Sequence, residues 1–490
     1  MSIDFSAFIA GQPVTGNGPA QPVINPATEE TLAAIPEAGV DLVDRAAQAA
    51  RIAFEDGRWH GKSVEERQAM LRRIADVIDA ASDELSAIET ANTGIPLSQA
   101  KARHIARAGH NFRFFADYIG QAAGRIYDQA PDHMTLVRRQ PVGVAGLIAP
   151  WNAPVALGAM KIAGAIAFGN SCIIKPSEQA PLGVHKLVEL IHRAGLPEGV
   201  VNLVSGRGAV TGDALVRHPE VDLVSFTGGT TTGRAIMSAA GQMLKPSTME
   251  LGGKSANIIF DSADFDQAVD GALLGIFTNN GQQCLAGSRI LVQRSIADRF
   301  ITAFLERVAR LRIGSPLDAG TELGPVASSA HRDRILSYAD TARREGMQIL
   351  AGGRAHSGFD KGFYLEPTVA LTDDPGATVC REEIFGPFAT ILLFDTPDDA
   401  FRIANATRFG LVSYVWTQDI YLALRAQEEL QSGVVWINTP MMRELRAPFG
   451  GWKESGVGAE GGLDCEAFYT RQKTITLARH PLALRRMGTA

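Results

Sequence analysis

The scarcities of this sequence narrow it before any motif is considered. Among 490 residues there are only four cysteines, Cys172, Cys284, Cys380 and Cys465, and no two form a CxxC pair. That spacing argues against a disulfide framework and against a zinc knuckle. The ten histidines are scattered, with no HxxxH or HExxH arrangement, so no metal site is expected. No uninterrupted apolar stretch reaches the ~20 residues that a membrane span requires. There is no run rich in Lys and Arg, and the net charge is −6, which speaks against a nucleic-acid or anionic-membrane partner. Residues Met1–Ser6 lack the basic and apolar regions of a secretory leader, so the cytoplasm is the expected location. Internal repeats and low-complexity segments are absent as well.

What remains is the composition of an ordinary globular protein, 46% hydrophobic and 20% charged, long enough for two or three domains. Ser63-Val64-Glu65-Glu66 reads as a capping box, and Leu71, Ile74, Val77, Ile78 and Ala81 follow at helical spacing. From about residue 142 short apolar strands alternate with helices. Cys172–Lys175 is a strand, Val184, Leu187, Val188 and Ile191 mark one helical face, and Gly195 and Pro197 stop that helix. Val200–Val204 and Leu223–Phe226 are the next strands. Strand, helix, strand in such short order predicts an α/β fold with a doubly wound parallel sheet. Ligands of such sheets bind beyond the carboxyl ends of the strands. Lys175-Pro176-Ser177-Glu178, Gly206-Arg207-Gly208 and Phe226-Thr227-Gly228-Gly229-Thr230 all fall there. The last precedes a helical stretch, and helix N-termini bind phosphate; the glycine string around Gly208, followed by Gly212, is weaker evidence of the same kind. The alternating segment Thr470–Leu477 reads as an exposed strand, an edge open to pairing.

One cysteine stands apart. A free cysteine is usually a small buried hydrophobe, but Cys284 sits in Gly281-Gln282-Gln283-Cys284, a context that fits a loop at a site. Glu250, 34 residues earlier, closes Ser247-Thr248-Met249-Glu250 and precedes Leu251-Gly252-Gly253-Lys254. A thiolate can add to a carbonyl carbon, and a carboxylate of tuned basicity can activate water. Asn152, in Pro150-Trp151-Asn152-Ala153-Pro154, reads either as a turn residue or as an oxyanion donor.

With these motifs on one chain, the sequence resembles the NAD(P)-dependent aldehyde dehydrogenase superfamily over nearly its whole length. The resemblance implies Cys284 as nucleophile, Glu250 as general base, and Asn152 with the Cys284 backbone N–H as oxyanion hole. Lys161 matches a lysine implicated in proton relay and in orienting Glu250, although a solvated helix lysine is an equal reading. Lys175 and Glu178 match residues that hold the adenosine ribose. A carboxylate there favours NAD over NADP, while Lys175 and Ser177 tolerate a 2′-phosphate. Trp151, Gly208, Phe226, Gly228, Gly229, Thr230 and Leu251 complete the expected cofactor contacts. Glu383 and Phe385, in Glu382-Glu383-Ile384-Phe385-Gly386-Pro387, match the pair that grips the nicotinamide ribose and ring.

The same resemblance divides the chain into a cofactor domain (1–122 and 142–252), a catalytic domain (253–452) and a small β flap with the C-terminal tail (123–141 and 453–490). The flap implies a homodimer or homotetramer. On the substrate side the chain departs from the common pattern. Ala153 and Met160 stand where larger aromatic residues are usual, and both changes are expected to widen the tunnel to Cys284, beside Gln283. Ala459 replaces a frequent Arg before Glu460. Arg107 and Arg443 resemble the pair that clamps a distal carboxylate in the branch acting on hydroxymuconic and carboxymethyl-hydroxymuconic semialdehydes. The expected substrate is therefore a small carboxylate-bearing aldehyde. The alternatives are a neutral aromatic or aliphatic aldehyde, a CoA-acylating reaction, which the presence of Glu250 disfavours, or a catalytically silent structural protein of the same fold.

Overall fold

A computed structural model describes residues 5–488; the leader reading at Met1–Asp4 lies outside them. The capping box forms as expected: Glu66 N–H donates to Ser63 Oγ (3.2 Å) and Ser63 N–H to Glu66 Oε2 (2.8 Å), at the start of helix Val64–Ala80. The strands Val144–Ile148, Ser171–Lys175, Val201–Val204 and Leu223–Thr227 lie almost wholly buried. That burial explains their continuous apolar reading, because helices cover both faces of a parallel sheet.

Five parallel strands form the centre of an eight-stranded sheet. In spatial order they are Val201–Val204, Ser171–Lys175, Val144–Ile148, Leu223–Thr227 and Ser247–Glu250. Antiparallel strands close both edges: Ala7–Ile9 with Gln12–Val14 on one side, Gly456–Val457 on the other. Part of the C-terminal segment 453–490 thus completes the first sheet, and helix Gly462–Tyr469 packs against helix Pro154–Ala167.

A second, seven-stranded sheet is parallel except at its edge strand Gln348–Ala351. Arg289–Gln293 and Ala256–Ile259 lie at its centre. A three-stranded flap pairs Thr470–Ala478 with His133–Pro141, which pairs in turn with Arg125–Tyr127. Thr470–Ala478 is one of the flap's two edge strands and is mostly exposed. No helix among the described residues is long and apolar enough to cross a membrane, and no group of three or more His, Cys, Asp or Glu among them is placed to hold a metal ion.

Candidate active site

Cys284 lies where two cavities meet. A space of about 350 Å³ is lined by Trp151, Asn152, Glu250, Leu251, Glu383 and Phe385 as well as Cys284. A second, of about 310 Å³, shares Asn152, Glu250 and Cys284 and adds Arg107, Ala153 and Arg443. The local chain explains how the thiol is presented. Asn279 (φ 59°), Asn280 (φ 56°) and Gly281 (φ 72°) are consecutive left-handed residues, a conformation that Asn tolerates and Gly favours. A Cβ at Gly281 would stand 2.3 Å from the Gly386 carbonyl carbon, so the turn packs directly on the segment carrying Glu383 and Phe385. Asn279 Nδ2 donates to the Asn152 and Gln282 carbonyls (2.9 Å each), and Asn152 Nδ2 also donates to Gln282 O (2.9 Å). An amide nitrogen carries two protons, so Asn152 retains a donor beside the thiol.

Glu250 ends its strand, in register with Thr227 on the neighbouring strand. It is buried, and its Oε1 has no hydrogen-bond partner among the described residues. Burial, and then repulsion from Glu460, raise its carboxyl well above the usual range, outweighing Lys161 and Arg443. Lys161 is fully buried rather than solvated. Its Nζ pairs with Glu460 Oε1 (2.9 Å) and donates to Ser225 Oγ (2.8 Å), so its direct partner is Glu460 and not Glu250. Glu460 is also held by two backbone bonds to Phe449 (2.8 and 2.7 Å). Burial works against the Glu460 charge, but Lys161 and Arg443 hold its carboxyl below the ordinary value. One carboxyl of the pair is therefore held ionised and the other primed to carry a proton. Burial, then Glu383 and Glu250, push the Cys284 thiol up to about 12, with Arg107 pulling the other way. A neighbouring base is needed to make the thiolate.

A third cavity, about 680 Å³, continues from Trp151 over the strand ends. Lys175, Ser177, Glu178, Gly208, Phe226, Gly228 and Gly229 line it. Thr230 does not: it begins helix Thr230–Gln242, and Thr231 and Thr232 take the wall position. Gly208 and Gly229 face open space where a Cβ would protrude, and the helix start offers free N–H groups, so the wall suits a phosphate-bearing ligand. Lys175 Nζ reaches Glu178 Oε2 at 3.4 Å, a cation and carboxylate side by side for a ribose. Glu383 Oε1 accepts from Gly253 N–H (3.0 Å), and a Cβ at Gly252 would lie 2.0 Å from its Oε2; the missing side chain at Gly252 leaves room for this carboxylate, while a Cβ at Gly253 would press on the Cys284 carbonyl oxygen at 2.8 Å. Burial raises Glu383 to about 7. Phe385 holds a positive φ of 64°, a costly conformation for a bulky residue that points to function, and its ring meets Trp151 edge-on at 5.3 Å. These residues fit a dinucleotide.

In the substrate-side cavity Ala153 lines the wall as expected, and so does Gln283, whose Nε2 donates to Gly275 O (3.3 Å). Met160 does not. Helix Pro154–Ala167 is buried on nearly every face, and Met160 packs into the hydrophobic core; Leu157, one turn earlier, faces the cavity. Arg107 and Arg443 are both present, half-buried as residues, but Nε and Nη2 of each are buried and have no partner among the described residues. Burial, and then the nearby Arg443 charge, lower Arg107 to about 9. Arg443 lies over the Phe449 ring at 4.4 Å. The motifs gave no sign of Arg103, His104, Trp436 or Met441, which also line this space, or of His331, whose Nε2 contacts Phe385 O at 2.7 Å beside Trp151. A helical-face count across residues 99–107 would have missed the first two, because Ala100–Ile105 is a π-helix. The Asn279-Asn280-Gly281 turn was readable.

The model of the aldehyde dehydrogenase family matches residues 14–475. A 5-carboxymethyl-2-hydroxymuconate semialdehyde dehydrogenase from Escherichia coli is 43% identical over 462 residues, 93% of this chain and 97% of that protein. Among solved structures, HpcC from Thermus thermophilus superposes with a TM-score of 0.96 at 40% identity, covering 99% of this chain and 95% of that one. Betaine aldehyde dehydrogenase from Staphylococcus aureus, in complex with NAD+, reaches a TM-score of 0.96 at 39% identity over 99% and 97% of the two chains. The chain belongs to the aldehyde dehydrogenase family.

Proposed function

We propose that this protein oxidises an aldehyde bearing a distal carboxylate, a semialdehyde of aromatic breakdown, to the corresponding diacid. NAD is the cofactor, held by Trp151, Lys175, Glu178, the Gly228–Gly229 turn, Glu383 and Phe385, and it supplies the acceptor for the hydride. Cys284 Sγ bonds to the aldehyde carbon while its proton passes to a neighbouring base. The Asn152 amide and the Cys284 backbone N–H hold the resulting oxyanion. Loss of hydride from this thiohemiacetal leaves a thioester on Cys284. Glu250, whose carboxyl is raised above the usual range and so is the stronger base, and whose Oε1 has no partner among the described residues, then takes a proton from water. Attack of that water breaks the C–S bond and releases the acid. Lys161 and Glu460 hold a fixed charge pair behind Glu250.

The observation that carries the substrate class is the pair of guanidiniums, Arg107 and Arg443, in one small cavity with four nitrogens unsatisfied. Buried charge without a partner is costly, and a carboxylate is the group that satisfies two forks at once. The test is NADH formation across aldehydes matched in size, with and without a distal carboxylate. A large kcat/KM advantage for the acidic members is expected. Equal rates, or a preference for benzaldehyde-like compounds, would remove the substrate assignment and leave the enzyme class. The reading includes a cytoplasmic location and assembly through the exposed edge of Thr470–Ala478 into a homodimer or homotetramer.

A further inference from the structure

His104 is drawn into the substrate-side cavity by the π-helix Ala100–Ile105, which sets Arg103, His104 and Arg107 on one wall; π turns recur at functional sites. Behind it lies Glu89, completely buried on helix Ser82–Thr93. Glu89 Oε1 contacts His104 Nδ1 at 3.0 Å and accepts from the Val155 N–H at 3.4 Å. Val155 is in the first turn of helix Pro154–Ala167, where the helix dipole favours a carboxylate. A carboxylate can only accept from the ring, so this contact places the imidazole proton on Nδ1. In the neutral ring Nε2 is then an acceptor. Among the described residues no protein group hydrogen-bonds it, while the ring lines the cavity. Of the charged side chains lining that cavity, Arg103, Arg107 and Arg443 are donors only, and Glu250 and Glu460 lie on it as well.

We infer that His104 is a specificity residue whose Nε2 accepts a hydrogen bond from a hydroxyl on the substrate, near the carboxylate held by the arginines. The arginines recognise the acid, and the Glu89–His104 pair recognises a donor beside it, so the preferred substrate is a hydroxy- or enol-bearing acidic aldehyde. Glu89 touches no substrate and acts by fixing the tautomer. This inference rests on the carboxylate reading of the same cavity, but it is measured separately. Two acidic aldehydes differing only in a hydroxyl next to the carboxylate are compared through NADH formation, and the carboxylate preference is read on a different pair. The intact enzyme is expected to favour the hydroxylated member by on the order of tenfold. His104→Phe should bring that ratio close to one, and His104→Gln, which offers an amide oxygen, should restore part of it. Glu89→Gln, which frees the ring proton to move to Nε2, should erode the ratio as well. A His104→Phe enzyme, folded by thermal melt, that keeps the wild-type ratio would overturn the inference, as would a wild type indifferent to the hydroxyl. A wild-type ratio in Glu89→Gln would overturn the tautomer role. Absence of any carboxylate preference would instead strike the function reading, leaving the hydroxyl ratio to judge His104 by itself.

Discussion

The two sides of Cys284 are built from different materials. On the cofactor side, strand ends, the start of helix Thr230–Gln242 and glycines at 208, 228, 229 and 252, where a Cβ would protrude or collide, frame the wall, with side chains such as Trp151, Lys175 and Glu178 set among them. On the substrate side the wall is side chain, supplied by the π-helix, the start of helix Pro154–Ala167, the Cys284 loop and the segment from Trp436 to Glu460. Backbone presents the same donors whatever residues surround it, so the first wall serves a constant ligand. Side chains change one at a time, so the second wall can be retuned without disturbing the first.

The sharpest way to break this comparison is at the shared point. Cys284→Ala should cut kcat by roughly 10⁴- to 10⁶-fold for every aldehyde, acidic or neutral, the range for removing a nucleophile or its base, with cofactor binding by fluorescence titration intact. Next, Glu250→Gln should lower steady-state kcat by about 10²- to 10⁴-fold while an initial burst of NADH persists, because hydride loss precedes the hydrolysis that Glu250 assists. Since burial and Glu460 raise the Glu250 carboxyl, its basic form appears only above the ordinary carboxylate range. The wild-type hydrolytic rate should therefore rise with pH across that higher range, and the Gln variant should lose this rise.

Smaller effects separate the two walls. Arg107→Ala and Arg443→Ala should each lower kcat/KM for an acidic aldehyde by roughly 10- to 100-fold, the span for hydrogen bonds between charged groups, and do far less to a neutral one. Gly252→Ala, by displacing the Glu383 carboxylate, should raise the KM for NAD by about fivefold with little change in aldehyde selectivity. Smallest of all, Glu178→Gln should improve use of NADP relative to NAD by a few-fold, about the worth of one exposed charge.

The same contrast explains what could be read from the chain. The cofactor wall is local in sequence: Lys175 to Glu178, Phe226 to Gly229 and Glu383 to Phe385 are short motifs whose strand-end position follows from the βαβ pattern. The nucleophile and base were legible because each sits in a glycine-bearing turn or strand end. The substrate wall was not, apart from Arg107, Ala153, Gln283 and Arg443. Met160 reads as a tunnel residue by its position before Lys161, yet a helix buried all round gives no periodicity to tell cavity from core, and the cavity face belongs to Leu157. His104 is a lone histidine in sequence, and its partner Glu89 comes from another helix, so their pairing exists only in three dimensions. Lys161 appeared either solvated or aimed at Glu250; its buried bond to Glu460 spans 299 residues.

The most direct test of the account is the ratio of kcat/KM for a carboxylate-bearing aldehyde to that for its neutral, size-matched partner, measured in the wild type and in the Arg107→Ala/Arg443→Ala double variant. The account predicts a large ratio in the wild type that collapses towards one in the double variant, with the KM for NAD held steady. A ratio near one in the wild type, or a large ratio that survives loss of both arginines, would contradict it.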